Sequence, residues 1–115
     1  MMTAEQPPPS DSDLWRALKA LGSPVRLEVI RFIQAHPHCI SNQIQLHLPP
    51  GCACAQSTLS QHLKILRDAQ LVVAESDGAA TSYTLNAERM AWLSEQLRGY
   101  ALCPANAAGV RAGRP

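Results

Sequence analysis

The sequence predicts a mainly α domain with the element order α-α-α-α-β-β-α, and three observations predict it. Leu, Ile and Val recur at steps of three and four residues over most of the chain, aromatic residues make up only 4% of it, and an Asp-Gly pair, Asp77-Gly78, stands between two short apolar runs. The first is the period of helices with one buried face, the second suits an aliphatic helical core, and the third is a hairpin signal. With 115 residues, 46% of them hydrophobic, the chain can bury one core and not two.

Taken in order, Ser12 is the expected N-cap of a first helix in which Leu14, Trp15, Leu18 and Leu21 repeat at helical spacing up to Gly22. Ser23 caps a second helix and Pro24 opens it, at the position where a missing N–H costs nothing. Val25, Val29, Ile30 and Ile33 or Phe32 carry its apolar stripe to an end near Ala35, just before Pro37. A short third helix starts at Cys39 or Ser41, runs on Ile40, Ile44 and Leu48, and stops at Pro49-Pro50-Gly51. The fourth runs from about Ala55 to Ala69. Leu59, Leu63 and Leu66 fall on one side of it, and Gln56, Ser57, Ser60, Gln61 and Lys64 on the other. Leu71 to Glu75 and Thr81 to Leu85 are the two strands around Asp77-Gly78, and Asn86 caps a last helix built on Met90, Trp92, Leu93 and Leu97 that ends at Gly99 or Tyr100. A short helix, a turn, a second helix and a hairpin in succession are the parts of a winged helix-turn-helix. The folded domain is expected over residues 11–103, between a flexible lead-in at 1–10 with Pro7-Pro8-Pro9 and a flexible tail at 104–115.

Composition narrows the function. No apolar stretch approaches the ~20 residues that cross a bilayer, and the N-terminus lacks the basic-then-apolar order of a secretory signal. The expectation is a cytoplasmic protein with no membrane partner, in which Cys39, Cys52, Cys54 and Cys103 are thiols or ion ligands rather than a disulfide framework. A net charge of +1 lacks the bulk basicity of many nucleic-acid binders, but the distribution is uneven. No acidic residue lies between Glu28 and Asp68, a stretch that holds Arg31, Lys64, Arg67 and all four histidines. A surface built from it meets phosphates without repulsion.

The run Leu18-Lys19-Ala20-Leu21-Gly22-Ser23-Pro24-Val25-Arg26-Leu27 and the run Gln56-Ser57-Thr58-Leu59-Ser60-Gln61-His62-Leu63-Lys64-Ile65-Leu66-Arg67, in this element order, resemble the ArsR/SmtB family of metal- and metalloid-responsive repressors. The resemblance spans roughly residues 14 to 100. It implies a homodimer held through the first and last helices, with Trp15, Leu18, Trp92 and Leu93 as seam candidates. The reading surface follows from the residues themselves. A helix fits the major groove, where Gln56, Ser57, Thr58, Ser60, Gln61 and His62 reach base edges of double-stranded operator DNA while Lys64 and Arg67 neutralise phosphates. One domain makes few such contacts, so two copies on a palindrome with half-sites ~34 Å apart, or a multiple of that, are expected.

Cys52-Ala53-Cys54 lies immediately before this helix, so two sulfurs one residue apart can hold one ion where the helix is oriented. Thiolates favour soft ions, As(III) and Sb(III) foremost here, with Cd, Pb, Cu(I) and Zn as other candidates. Trivalent arsenic takes three sulfurs, and the third is either Cys39 or Cys103. Arsenic-responsive members of the family commonly carry Cys-x-Cys on the third helix. Here Cys39-Ile40-Ser41 has Ser at the second position, and the Pro50-Gly51-Cys52-Ala53-Cys54 insertion brings thiols elsewhere. The last helix has no His, with only Glu88 and Glu95, which discounts the family's zinc site there. His36, His38 and His47 match no tight ligand spacing and read as solvated loop residues. Thiol redox or reactive-sulfur sensing by the same fold is the alternative. A catalytic Cys39 with His38 as base is disfavoured, since adjacent side chains rarely face each other and no orienting acid is near.

Overall fold

The computed structural model describes residues 8–101 of the chain. Cys103, the tail at 104–115 and all but the last three residues of the lead-in at 1–10 lie outside the described residues.

Helix α1 (Asp11–Leu21) starts two residues before the expected position, because Ser10 and not Ser12 is its cap. The Asp13 N–H donates to Ser10 Oγ at 3.3 Å and the Ser10 N–H donates to Asp13 Oδ2 at 2.8 Å. This reciprocal box needs an acceptor side chain three residues after the cap; counted from Ser12, that position is Trp15, which has none. Helix α2 (Pro24–Ala35) is capped by Ser23, whose Oγ accepts from the Arg26 N–H at 3.3 Å.

Of the two expected starts of the third helix, the chain takes Ser41 and not Cys39. Cys39–Ile40 is a short strand, β1, and not the head of a helix. It pairs antiparallel with a later strand (Cys39 opposite Tyr83, Ile40 opposite Ser82), and the His38 N–H donates to the Tyr83 carbonyl at 2.9 Å. Helix α3 (Ser41–Leu46) follows at once, and a single 3-10 turn at Pro50–Cys52 links it to the long helix α4 (Gln56–Asp68). Strands β2 (Val72–Asp77) and β3 (Ala80–Leu85) form the hairpin, whose two-residue loop is Gly78-Ala79, one position later than expected. Gly78 has φ +70, so the left-handed position is taken by the residue without a Cβ. The sheet order is β1-β3-β2. Asn86 Oδ1 accepts from the Arg89 N–H at 3.1 Å at the start of helix α5 (Ala87–Ala101).

The core centres on α4. Leu59, Leu63 and Leu66 are fully buried against Val29 and Ile33 of α2, Ile44 of α3 and Leu71 at the head of the hairpin. Ala17 and Ala20 let α1 approach closely. The four seam candidates divide: Trp15 and Leu18 are exposed on α1, Trp92 is half-buried beneath the Arg89 guanidinium, and Leu93 belongs to the protein's own core. Leu97 and Tyr100 of α5 are exposed as well.

The cap assignment is checked by urea melts. Ser10→Ala is expected to lower the unfolding free energy by about 1 kcal/mol, whereas Ser12→Ala leaves it unchanged.

Candidate nucleic-acid interface and thiol site

Burial of Leu59, Leu63 and Leu66 turns the opposite flank of α4 to solvent, and Gln56, Ser57, Thr58, Ser60, Gln61, Lys64 and Arg67 are all exposed there. The N-cap is Ala55, which has no side-chain oxygen, so the first turn of α4 receives no side-chain cap. Lys64 Nζ lies 2.8 Å from Asp68 Oδ2 in an exposed pair one helical turn apart, and this hydrogen bond holds the Asp68 carboxyl below its ordinary range. An exposed pair of this kind is worth little in water, so the ammonium is available to a phosphate. Arg67 makes no ion pair among the described residues.

His62 is placed differently from its neighbours. It is half-buried, and its Nδ1 lies 3.1 Å from Arg26 Nη1. Arginine is a donor only, so Nδ1 accepts and the imidazole is neutral. Burial first and the Arg26 charge second hold its pKa below the ordinary value. Arg26 Nε also donates to the Ala20 carbonyl at 2.6 Å, so one guanidinium ties the end of α1 and the start of α2 to α4. Arg26 lay inside the first family run, but only the fold reveals its partner. The wing adds no positive charge: β2 and β3 carry Glu75 and Asp77 and no Lys or Arg. The positive charge next to the hairpin therefore comes from α4 and its surroundings.

The cysteines fall into separate environments. Cys39 is 3% exposed inside the core, in register with Tyr83, and burial pushes its thiol pKa up. Cys52 and Cys54 are half-buried free thiols just ahead of α4. Cys52 lines a groove with Leu21, Pro24 and Leu27, while Cys54 packs against the core. Among the described residues no three His, Cys, Asp or Glu side chains come together as an ion site, so Cys39 does not join Cys52 and Cys54. Cys52 and Cys54 are thus two free thiols one residue apart in different surroundings, one lining a groove and the other packed against the core. On α5, Glu95 is close to Arg98, at 3.8 Å.

Gln45 was missed in the sequence. Its Nε2 donates to the Cys54 carbonyl at 3.0 Å, and its Oε1 accepts from Gln56 Nε2 at 2.7 Å. A polar residue on a short helix gave no sign of this, because both partners lie nine or more positions away.

A short helix, a turn, an outward-facing second helix and an adjoining hairpin define a winged helix-turn-helix domain, the class in which the second helix enters the major groove. No family model matches the chain. It is 33% identical over 86 residues to the HTH-type transcriptional repressor SmtB of Mycobacterium tuberculosis, covering 72% of this chain and 59% of that protein. It is 31% identical over 88 residues to the arsenical resistance operon repressor of Staphylococcus xylosus, covering 76% of this chain and 80% of that one. Among solved structures it superposes with a TM-score of 0.60 on a homodimeric winged helix-turn-helix DNA-binding domain of Mycobacterium bovis, a possible ArsR-family regulator. That match has 22% identity and covers 86% of this chain and 90% of the other. The chain belongs to the ArsR/SmtB family of winged helix-turn-helix transcriptional regulators, a family that is not enzymatic. It spans about 59% of the length of the mycobacterial SmtB relatives. No described helix is long and apolar enough to cross a membrane.

Brief alkylation of the native protein with iodoacetamide, read by peptide mass spectrometry, should label Cys52 and Cys54 and spare Cys39. Adding denaturant should bring Cys39 to the same extent of labelling.

Proposed function

We propose that this chain is a cytoplasmic transcriptional repressor that binds double-stranded operator DNA as a homodimer and lets go when cysteine thiolates capture a soft ion, As(III) or Sb(III) foremost. The observation that carries the reading is the outward polar flank of α4, set by the leucines on its buried side, in a chain related to a named arsenical resistance operon repressor. Gln56, Ser57, Thr58, Ser60 and Gln61 are assigned to base edges, and Lys64 and Arg67 to phosphates. His62 is left to hold α4 against Arg26.

The dimer is assigned to α1 and α5, where Trp15, Leu18, Leu97 and Tyr100 leave apolar surface that a second copy covers. The domain is taken as residues 11–103, with 1–10 and 104–115 as flanking segments. Cys52 and Cys54 are assigned as ion ligands, with Cys103 as the third sulfur because Cys39 is committed to the core. Bonding to all three sulfurs at once, the ion would favour an arrangement of the segment different from the one that fits DNA. Release then follows from its preference for the form that does not fit DNA.

Fluorescence anisotropy on a duplex from upstream of the chain's own gene tests this. Cys54→Ser is expected to keep operator affinity within about twofold and to abolish release by arsenite. Normal arsenite release from that variant would contradict the ligand assignment, and release of the parent protein by oxidant alone would put redox sensing in its place.

A further inference from the structure

We propose that Gln45 is a positioning residue that presets the base-contacting amide of Gln56 and ties it to the backbone of Cys54. The Cys52–Cys54 segment and the first reading side chain then move together. The link to DNA release rests on the function proposed above; the positioning of Gln56 rests on operator binding alone.

Between α3 and α4, residues 49–54 are held mainly by bonds within their own turn. The Cys52 N–H donates to the Pro49 carbonyl at 2.8 Å and the Ala53 N–H to the Pro50 carbonyl at 3.4 Å, both within the same turn. Among the described residues, the hydrogen bond that reaches residues 49–54 from another element is the one from Gln45 Nε2 to the Cys54 carbonyl. The other end of the same half-buried amide accepts from Gln56 at 2.7 Å. With Ala55 at the cap, the start of α4 has no side-chain anchor of its own.

The side-chain chemistry is specific. An amide offers a donor and an acceptor at once; a carboxylate only accepts, and a thioether does neither well. Gln56 gives one N–H to Gln45 and keeps a second N–H and its Oε1, the donor–acceptor pair that an adenine edge takes from glutamine. Gln45 thus removes rotamer freedom from Gln56 before DNA arrives. The Cys54 carbonyl belongs to the residue whose sulfur is assigned to the ion, so an ion that reorients Cys54 breaks the Gln45 bond or drags Gln45 with it. Both outcomes take Gln56 off its preset.

The test uses the full chain, the upstream duplex and arsenite as the probe ion. Without ion, Q45M and Q56A should each weaken binding about 5–30-fold, and the double variant should be no weaker than the worse single one. Additive losses would overturn the positioning of Gln56. With arsenite, uptake followed at thiolate absorption wavelengths should be unchanged in Q45M, while the fold-loss of DNA affinity should drop at least fivefold below that of the parent. A purely structural Gln45 would lower affinity with and without ion equally and leave that ratio intact, which overturns the link to Cys54. Q45E, which keeps the acceptor for Gln56 and loses the donor to Cys54, should retain non-additivity with Q56A yet release poorly. A parent protein that takes up arsenite and keeps its DNA sinks the thiol-release reading and the Cys54 link with it. The double-variant cycle still decides the positioning of Gln56.

Discussion

The rotation of α4 about its own axis decides which side chains this protein turns outward, and that rotation is set by burial of Leu59, Leu63 and Leu66. Fully burying one such side chain contributes roughly 1.5–3 kcal/mol. A turn of the helix that exposed all three would cost more than any surface hydrogen bond could return. The polar flank is therefore presented as a rigid row, carried by the same core that packs α2, α3 and the hairpin head. The Arg26 guanidinium, bonded to both Ala20 and His62, supports that orientation from the other side.

Rigidity at α4 contrasts with the segment ahead of it. The chain from the end of α3 to Ala55 contains two prolines, a glycine, one 3-10 turn and two half-buried thiols, and little of it contributes to the core. A segment with few buried apolar contacts is where a protein can change shape at low cost. Under the proposed thiol release, Cys52 and Cys54 in this segment would set the ion chemistry next to the first turn of α4. The wing carries two carboxylates and no Lys or Arg, so it adds no positive charge beside α4.

Much of this was legible in the residues, and the exceptions share a cause. Helices α2 and α4 follow directly from Ser23-Pro24, from the leucine period and from the stop at Ala69, because a helix with a buried stripe is specified locally. The Asn86 cap of α5 is equally local. Strand β1 was invisible because two residues become a strand only by pairing with Tyr83 and Ser82, more than forty positions away. The same pairing buries Cys39, which spacing alone left open as a ligand. His62 sits within a polar run yet leans back onto α2, and Gln45 bridges two elements. Both depend on where α2 and α3 pack, which no single segment encodes. The shift of the α1 start from Ser12 to Ser10 shows a local rule choosing between two serines by the side chain three residues on.

The most direct measurement is duplex binding by a variant altered only on the outward flank of α4, Ser57→Ala with Gln61→Ala, compared with the parent by anisotropy and by thermal melting. The account predicts at least a tenfold loss of affinity for the upstream duplex with an unchanged melting temperature, since neither side chain is buried. Full retention of binding by a normally folded variant would contradict it.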